Sequence, residues 1–345
     1  MRSHDLENKL PTVHILLATY NGAKHLPEQL ESLARQTHSN WTLLVSDDGS
    51  SDETLHIVEQ FATRMGQKVK VLHGPCLGSS TRNFFHLIQQ APTNDPQDLY
   101  AFCDQDDVWH DNKLERAVQW HALQSYPVRL YFGRTQLVNE QLQPIGLSQG
   151  IQRSPSFGNA LVQNIASGNT MVMSHAVLLA QKEVRPEHSV WHDWTTYLVA
   201  TALGGLVYFD DKPSLLYRQH SENVIGSNDG LFAQISRFKP LFEGRFKQWT
   251  DANMAAVQDL GSLSTLSARD LHHQFKSLRA MPMFWNRFNA WRKTSIRRQS
   301  SLSNMTLVLA LTLAGAWPRC RWPAGCEQSA ICSLSHVISY SQVSH

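Results

Sequence analysis

Residues 104–107 (Asp-Gln-Asp-Asp) are the part of the sequence whose composition points most directly to chemistry. They follow the apolar segment 98–103, which is typical of a buried strand. Hard divalent cations such as Mg²⁺ and Mn²⁺ prefer oxygen ligands, and one or two carboxylates plus substrate phosphates often complete their coordination. The alternative is a solvated acidic turn in which Asp111 caps the next helix. The position at the end of a strand favours the metal site.

A second acidic pair, Asp47 and Asp48, also follows an apolar segment and is followed by Gly49 and Ser50. One interpretation is a tight turn with a helix N-cap, since Gly and Ser favour turns. The other is a carboxylate that accepts the N–H of a nucleobase, as an acidic residue contacts the ribose in dinucleotide-binding folds. The residues alone favour neither interpretation.

The elements that position these acids alternate between strands and helices up to about residue 120. Apolar runs at 13–20, 41–46, 69–74 and 98–103 predict four strands, with apolar residues at helical spacing between them. This order predicts an α/β fold with a mostly parallel central sheet flanked by helices, and ligands at the carboxyl ends of its strands. Neither a Gly-x-Gly-x-x-Gly loop nor a Walker A loop is present, which excludes the two commonest phosphate-binding loops.

Charge divides the chain unevenly. Residues 1–230 carry 17 Lys and Arg against 24 Asp and Glu, whereas residues 231–300 carry 12 against four. The sequence therefore predicts three parts. These are a catalytic domain over 1–230, a basic helical extension over 231–300, and an apolar segment with an irregular tail over 301–345.

The basic extension also contains Trp and Phe, which indicates a membrane surface or an acceptor as its partner, with a solvated helical face as the alternative. The apolar segment 305–317 has 13 residues, fewer than the ~20 that span a bilayer as a helix. Five cysteines without CxxC spacing, and an N-terminus without an apolar signal core, favour a reducing compartment. We expect a cytoplasmic protein, peripheral on the cytoplasmic face of the inner membrane, with no nucleic-acid partner.

Six motifs between residues 12 and 228 combine into a resemblance. They are LLATYNG, VSDDGSSDET, FCDQDDVW, SGNTMV, His-Asp-Trp at 192–194, and YRQHSENVIG. In this order they resemble the inverting glycosyltransferases of family 2, which have the GT-A fold. Within that family the chain is most similar to rhamnosyltransferase-like enzymes that build bacterial surface polysaccharide, such as O-antigen or capsule.

The resemblance implies a nucleotide site at the ends of the first, second and fourth strands. Asp48 matches the acid that reads the base, and Asp104 is expected near the ribose or a metal-bound water. Asp106 matches the metal ligand of the family, and His220 is a further candidate ligand. The residues expected at the nucleotide are Ala18, Thr19, Tyr20, Asp48, Arg82, Asn83 and Asp104.

On the acceptor side, the resemblance implies that Asp193 is the general base, with Gly168 and Asn169 in a loop beside the acceptor. Arg218, together with His220, matches an element that closes over the diphosphate. Trp194 is a candidate for stacking on a sugar. Each role has an alternative: Asp193 as a helix cap, Trp194 as a packing residue, and Arg218 as a surface partner of Asp210 or Asp211.

The activity implied by the resemblance is transfer of a sugar, such as rhamnose, from a dTDP-, UDP- or GDP-sugar to a saccharide or lipid-linked saccharide, with Mg²⁺ or Mn²⁺ as cofactor. One alternative is a metal-dependent phosphohydrolase or phosphotransferase, although such enzymes usually carry an Asp nucleophile on the first strand, which here ends in Ala-Thr-Tyr-Asn. Another is a non-catalytic nucleotide-binding scaffold.

Overall fold

The computed structural model describes residues 10–219 and 245–313. The strands are β1 (Val13–Thr19), β2 (Trp41–Asp47), β3 (Val69–His73), β4 (Leu99–Cys103), β5 (Val108–Trp109), β6 (Arg129–Gly133), β7 (Gln136–Val138), β8 (Pro144–Leu147), β9 (Val172–Ser174), β10 (Leu206–Asp210) and β11 (Leu215–Arg218). The helices are α1 (Leu26–Ala34), α2 (Thr54–Met65), α3 (Ser80–Gln90), α4 (Lys113–Ala122), α5 (Phe157–Ala160), α6 (His175–Lys182), α7 (His192–Ala202), α8 (Arg245–Leu260), α9 (Leu266–Ala280), α10 (Phe284–Arg292) and α11 (Ser301–Leu313).

A seven-stranded sheet runs through the middle of the molecule in the order β10-β6-β9-β4-β1-β2-β3. Strands β1 to β4 are parallel to one another, β10 is parallel to β6, and β9 is antiparallel to both of its neighbours. The prediction of a mostly parallel sheet flanked by helices is therefore confirmed. The four predicted strands are present with bounds within about one residue; β1, β2 and β4 are buried apolar runs, whereas β3, at the edge of the sheet, is partly exposed.

Alternating side chains of the strands form two hydrophobic cores. Leu16 of β1 faces a core shared with α3, α6 and α7, whereas its neighbours Ile15 and Leu17 face a second core shared with α1, α2 and α4. This alternation is the period of two that a pleated strand imposes. Helices cover both faces of the sheet, so the polar ends of its strands form the part of the sheet that is open to a ligand.

The C-terminal helices pack on the first of these cores, the main core, which contains Leu16. Phe246, Val257, Phe275 and Leu307 are each buried and belong to the same cluster as Leu16. The predicted boundary at residue 231 lies outside the described residues. Helices α8, α9 and α11 are thus joined to the sheet domain by a common core, which the charge pattern alone did not indicate.

A second, four-stranded sheet has the order β5-β11-β7-β8. Strand β5 directly follows residues 104–107 and pairs antiparallel with β11, with Leu216 opposite Val108. This pairing brings Tyr217 and Arg218 to residues 104–107, the acidic run, although more than 100 residues separate them in the chain.

In the part of the chain that the structure describes, none of the helices has the length and apolar character needed to cross a bilayer.

Candidate active site

The carboxyl ends of β2, β1 and β4 lie side by side and carry the predicted polar residues. Asp48 follows β2 and Asp104 follows β4, with the end of β1 between them. Neighbouring strands are ~4.8 Å apart, so the two acids flank β1 at a separation of about 10 Å. A nucleotide laid across the end of β1 would contact both sides.

Asp47 and Asp48 have different roles. The carboxylate of Asp47 accepts the N–H groups of Gly49 and Ser50 at 3.1 and 2.8 Å and so forms the tight turn. The carboxylate of Asp48 accepts the N–H groups of Leu77 at 3.1 Å and Ser79 at 3.2 Å. Asp47 therefore makes the turn of the first interpretation; Asp48 connects to a second loop at the rim, and its contact with a nucleobase stays a prediction.

The end of β1 is connected to the acidic run by Gln105. The backbone N–H of Tyr20 donates to Oε1 of Gln105 at 2.9 Å, and Nε2 of Gln105 donates to the carbonyl of Tyr20 at 3.0 Å. A Cβ at Gly22 would lie 2.3 Å from Oε1 of Gln105, so a larger residue there would displace the Gln105 side chain from this position. The two loops expected to hold the nucleotide are thus fixed relative to each other.

Of the three predicted contacts on β1, Tyr20 is the one whose side chain is exposed. Thr19 is buried and its hydroxyl donates to Asp47 at 2.8 Å, and Ala18 packs against the main core. Asn83 is buried and donates to the carbonyls of Thr19 and Ser46. The prediction that the Asn83 and Thr19 side chains face a nucleotide is therefore corrected: both hold the strand ends together.

Asp104, Asp106 and Asp193 come close enough to influence one another electrostatically. Burial, followed by the negative charges of Asp106 and Asp193, raises the pKa of Asp104 to about 7. Burial, followed by the charges of Asp104, Asp107, Asp106 and Asp193, raises the pKa of Tyr217 well above its ordinary range. The helix start that carries Asp193 thus faces the acidic run, and Tyr217 lies among all four acids.

Asp107, the last residue of the acidic run, lies in the protein interior. It is fully buried, and Nδ2 of Asn169 donates to its carboxylate at 2.6 Å. The Asn169 side chain is itself buried, and the position of its loop beside an acceptor stays a prediction. Nζ of Lys113, also fully buried, lies 3.2 Å from the ring centroid of Trp109 and counters the charges of Asp107 and Asp104. Burial lowers the pKa of Lys113 to about 7.

Asp193 occupies the first turn of α7. Its carboxylate accepts the N–H groups of Trp194 at 2.6 Å and Gly168 at 3.3 Å, and it bonds the side chain of Asn164. Burial raises the pKa of Asp193 to about 6, although these hydrogen bonds oppose the shift. The N-cap of α7 is Trp191 and Asp193 is the second residue of the helix, so Asp193 does not take the helix-cap role that the sequence left open. The raised pKa brings the same carboxylate near the range in which a general base works at neutral pH.

Arg218 is almost fully buried, and its guanidinium connects three loops. Its Nε donates to the backbone carbonyl of Asp106 at 3.1 Å, one terminal nitrogen donates to the carbonyl of Glu140 at 2.5 Å, and the other pairs with the carboxylate of Glu28. The alternative pairing with Asp210 or Asp211 is wrong, since those acids pair with Arg116 and Arg134. Arg218 holds the acidic loop in place here, and a contact with a diphosphate stays a prediction.

The remaining predicted residues are Arg82, Trp194 and His220. Arg82 is half-buried in the first turn of α3, next to the loop that binds Asp48, and its role at the nucleotide stays a prediction. Trp194 is buried, and its indole N–H donates to the carbonyl of Ala160 at 2.7 Å. This corrects the prediction that Trp194 stacks on a sugar. His220 lies outside the described residues.

Sequence reasoning missed Gln105, Tyr217 and Lys113 as parts of the site. Gln105 lies inside the acidic run, so its position was the available signal. Tyr217 gave no signal in the sequence, because its position depends on the pairing of a two-residue strand. Lys113 gave no signal either, because lysine is seldom fully buried.

The acidic run was also tested as a cation site. Within residues 10–219 and 245–313, no group of three or more acidic, His or Cys side chains forms a complete metal cage. The donors nevertheless fit a hard divalent cation, because Asp104 and Asp106 place carboxylates at the rim, and burial, followed by the negative charge of Asp106, raises the pKa of Asp104. In addition, Oδ1 of Asp107 is buried without a hydrogen-bond partner. One or two carboxylates with substrate phosphates would complete such a site.

The acids lie at the carboxyl ends of parallel strands, where α/β sheets bind their ligands, and a half-buried carboxylate with a raised pKa lies opposite them. The family model described as Glycosyl transferase family 2 matches residues 14–184. The chain belongs to glycosyltransferase family 2 and has the GT-A fold, as the six motifs indicated.

Two curated relatives and one solved structure place the chain among such enzymes. RfbG of Shigella flexneri, a dTDP-rhamnosyl transferase, is 28% identical over 235 residues, which cover 64% of this chain and 77% of the relative. WfgD of Escherichia coli, a UDP-Glc:alpha-D-GlcNAc-diphosphoundecaprenol beta-1,3-glucosyltransferase, is 28% identical over 127 residues, which cover 37% and 47% of the two chains. S. aureus TarS 1–349, solved with UDP-GlcNAc, has a TM-score of 0.50 at 18% identity and covers 81% of this chain and 89% of that chain.

Proposed function

We propose that this glycosyltransferase moves a deoxyhexose, with rhamnose as the first candidate, from a nucleoside diphosphate to a saccharide hydroxyl, and that the reaction inverts the anomeric configuration. The observation that carries the proposal is the approach of Asp193 to Asp104, which is also acted on by the charge of Asp106, across the open end of the sheet. The name of the Shigella flexneri relative supports rhamnose and dTDP as sugar and carrier. UDP and GDP remain the other carriers to be tested.

In this mechanism one set of residues binds the donor, and Asp193 with its neighbours transfers the proton. Asp48, Tyr20 and Asp104 bind the nucleotide at the ends of β2, β1 and β4. Asp106, together with Asp104, would hold Mg²⁺ or Mn²⁺, and the cation would supply positive charge that neutralises the diphosphate. Arg218 and Asn169 hold the acidic loop by its backbone and by Asp107.

Asp193 accepts the proton of the acceptor hydroxyl. The hydroxyl oxygen then forms a bond to the anomeric carbon, and the bond from that carbon to the diphosphate oxygen breaks with both electrons leaving on the nucleoside diphosphate. Because attack and departure occur on opposite faces, the configuration inverts. The N–H groups of Gly168 and Trp194 orient the carboxylate for this step.

We further propose that the acceptor is part of a lipid-linked saccharide of the cell surface and that the protein works at the cytoplasmic face of the inner membrane. The Escherichia coli relative, which by its name acts on a sugar linked to diphosphoundecaprenol, supports this acceptor class. Met283, Phe284 and Trp285 at the start of α10 are 59%, 42% and 65% exposed, and Arg292 and Lys293 follow on the same segment. Exposed aromatic rings beside cations are typical of an interfacial membrane contact.

Calorimetric titration with UDP, GDP and dTDP, each with and without Mn²⁺, tests the nucleotide site. We expect one nucleoside diphosphate to bind more tightly with Mn²⁺, and Asp106→Asn to abolish this increment. Asp111→Asn, an exposed acid after the same loop, serves as the matched control and should retain it.

A screen of nucleotide sugars for slow donor hydrolysis then identifies the sugar. A wild-type protein that binds no nucleoside diphosphate, or that instead hydrolyses simple phosphate esters, would refute the proposal and favour the phosphohydrolase alternative. The absence of an acid from the end of β1 argues against that alternative.

A further inference from the structure

Three tryptophans gather next to the candidate base. The ring centroids of Trp191 and Trp194 are 5.8 Å apart, those of Trp191 and Trp249 are 5.3 Å apart, and those of Trp194 and Trp249 are 6.0 Å apart. Trp191 directly precedes His192 and Asp193, so its Cα is within ~7 Å of that of the base. Trp249 comes from α8, more than 50 residues further along the chain.

The three tryptophans differ in exposure and in whether their indole N–H makes a hydrogen bond. Trp194 is 3% exposed and its indole N–H is bonded to Ala160. Trp191 and Trp249 are half-buried, and their indole N–H groups have no hydrogen-bond partner among the described residues. Trp194 therefore serves packing, whereas the other two retain exposed ring surface and a free donor. Tryptophan with one apolar face and one unused N–H is typical of a binding surface.

Helix α8 holds Trp249 rigidly in this position. Phe246, three residues earlier, is buried in the main core, and Nδ2 of Asn253, four residues later, donates to the carbonyl of Leu161 at 3.3 Å. At its end, Asp259 binds Arg185 and His188, on the segment that leads into Trp191. The two half-buried rings are thus fixed relative to each other and to the start of α7.

We propose that Trp191 and Trp249 form the subsite for the acceptor sugar, with the apolar C–H face of a pyranose ring against the indoles and its hydroxyls within reach of their N–H groups. The inference rests on the proposed function, because a sugar held there lies beside Asp193, where an acceptor hydroxyl must lose its proton. It also assigns a task to the C-terminal helices, which complete the acceptor side of a site whose donor side is built by the sheet.

Saturation-transfer NMR titrations with octyl glycosides of rhamnose, glucose, galactose and N-acetylglucosamine test this subsite. They are made on the full chain with saturating nucleoside diphosphate. We expect at least one glycoside to bind the wild type, and Trp249→Leu and Trp191→Leu each to weaken it about tenfold, since each removes part of an apolar contact. Tyr126→Leu removes an exposed aromatic side chain to which no binding role is assigned and should leave the affinity unchanged.

Calorimetry of nucleotide binding on the same samples separates this inference from the proposed function. Nucleotide affinity that is equal in all variants, with glycoside affinity reduced only in the Trp191 and Trp249 variants, supports the subsite. Unchanged glycoside affinity in both variants, or no glycoside response in a wild type that binds nucleotide, overturns the subsite and leaves the proposed function standing. Should Trp249→Leu lose nucleotide binding as well, Trp191→Leu decides: an affinity for glycoside equal to that of the wild type in that variant overturns the subsite.

Discussion

The backbone of Gly168 lies directly against Asp193: its N–H donates to the Asp193 carboxylate at 3.3 Å. A Cβ at position 168 would lie 2.7 Å from Nε2 of His192 and 3.2 Å from Cβ of Asp193. The His192 ring cannot yield easily, because it is stacked on Phe84 with centroids 3.8 Å apart. The orientation of Asp193, the candidate base, therefore depends on the absence of a side chain at position 168, which lies 25 residues earlier in the chain.

Gly168→Ala should lower turnover by about 10²-fold while leaving nucleotide affinity unchanged, because a base displaced by ~1 Å loses that much. Steady-state kinetics with the identified donor and calorimetry with its nucleoside diphosphate measure the two effects. Gly146→Ala is the matched control, since a Cβ there meets only Leu137 at 3.8 Å. Wild-type turnover in Gly168→Ala would contradict the role of this contact.

Asp193→Asn should reduce transfer by ~10²–10⁴-fold, the usual contribution of a general base. Asparagine can still accept the N–H groups of Gly168 and Trp194, so the start of α7 should keep its structure. We expect the nucleoside diphosphate to bind as it does to the wild type. A loss of transfer of less than threefold would show that another group takes the proton.

The pH dependence of transfer should reflect the raised pKa of Asp193. A general base works only when ionised, and burial raises the pKa of this carboxyl from 3.8 to about 6. We therefore expect kcat/KM to fall tenfold for each pH unit below about 6, rather than below about 4. The acid limb should be absent from the residual activity of Asp193→Asn, and its persistence there at the same pH would assign the limb to a different group.

The sequence predicted the strand ends and their acids well. Apolar runs such as 13–20 and 98–103 are buried on both faces, so their positions depend only on local hydrophobicity. The approach of Asp193 to Asp104 came from the resemblance to a family rather than from periodicity, because 89 residues separate the two positions.

Other features depend on pairings that local patterns do not encode. The alternative to the metal site made Asp111 the cap of α4, but the residue at that position is Asn112, and Asp111 pairs with Arg35. The basic segment was expected to form a separate extension, yet its apolar residues, Phe246 and Phe275 among them, enter the main core. Charge counts describe the exposed face of a helix and carry no information about where its buried face packs.

Arg218→Lys should destabilise the fold by about 2 kcal/mol, because a single ammonium group cannot serve the carbonyls of Asp106 and Glu140 and the carboxylate of Glu28 at once. It should also weaken the Mn²⁺-dependent part of nucleotide binding, since the Asp106 backbone loses its support. Urea denaturation and calorimetry measure these effects. Arg35→Lys changes an exposed pair and should alter stability by less than about 0.5 kcal/mol. Full stability of Arg218→Lys would contradict the bridging role.

The exposed start of α10 gives the membrane proposal a local test. Replacing Phe284 and Trp285 with Ser removes two large exposed side chains that contribute no buried contact to the main cores. Binding to vesicles with anionic headgroups depends on inserted apolar area and on nearby cations, so we expect the double variant to float with such vesicles at least tenfold less. Leu77→Ser, an exposed apolar residue at the nucleotide rim, is the control and should float like the wild type. Equal recovery of all three proteins in the soluble fraction would show that α10 does not contact the membrane, while leaving the assignment of Asp48, Asp106 and Asp193 untouched.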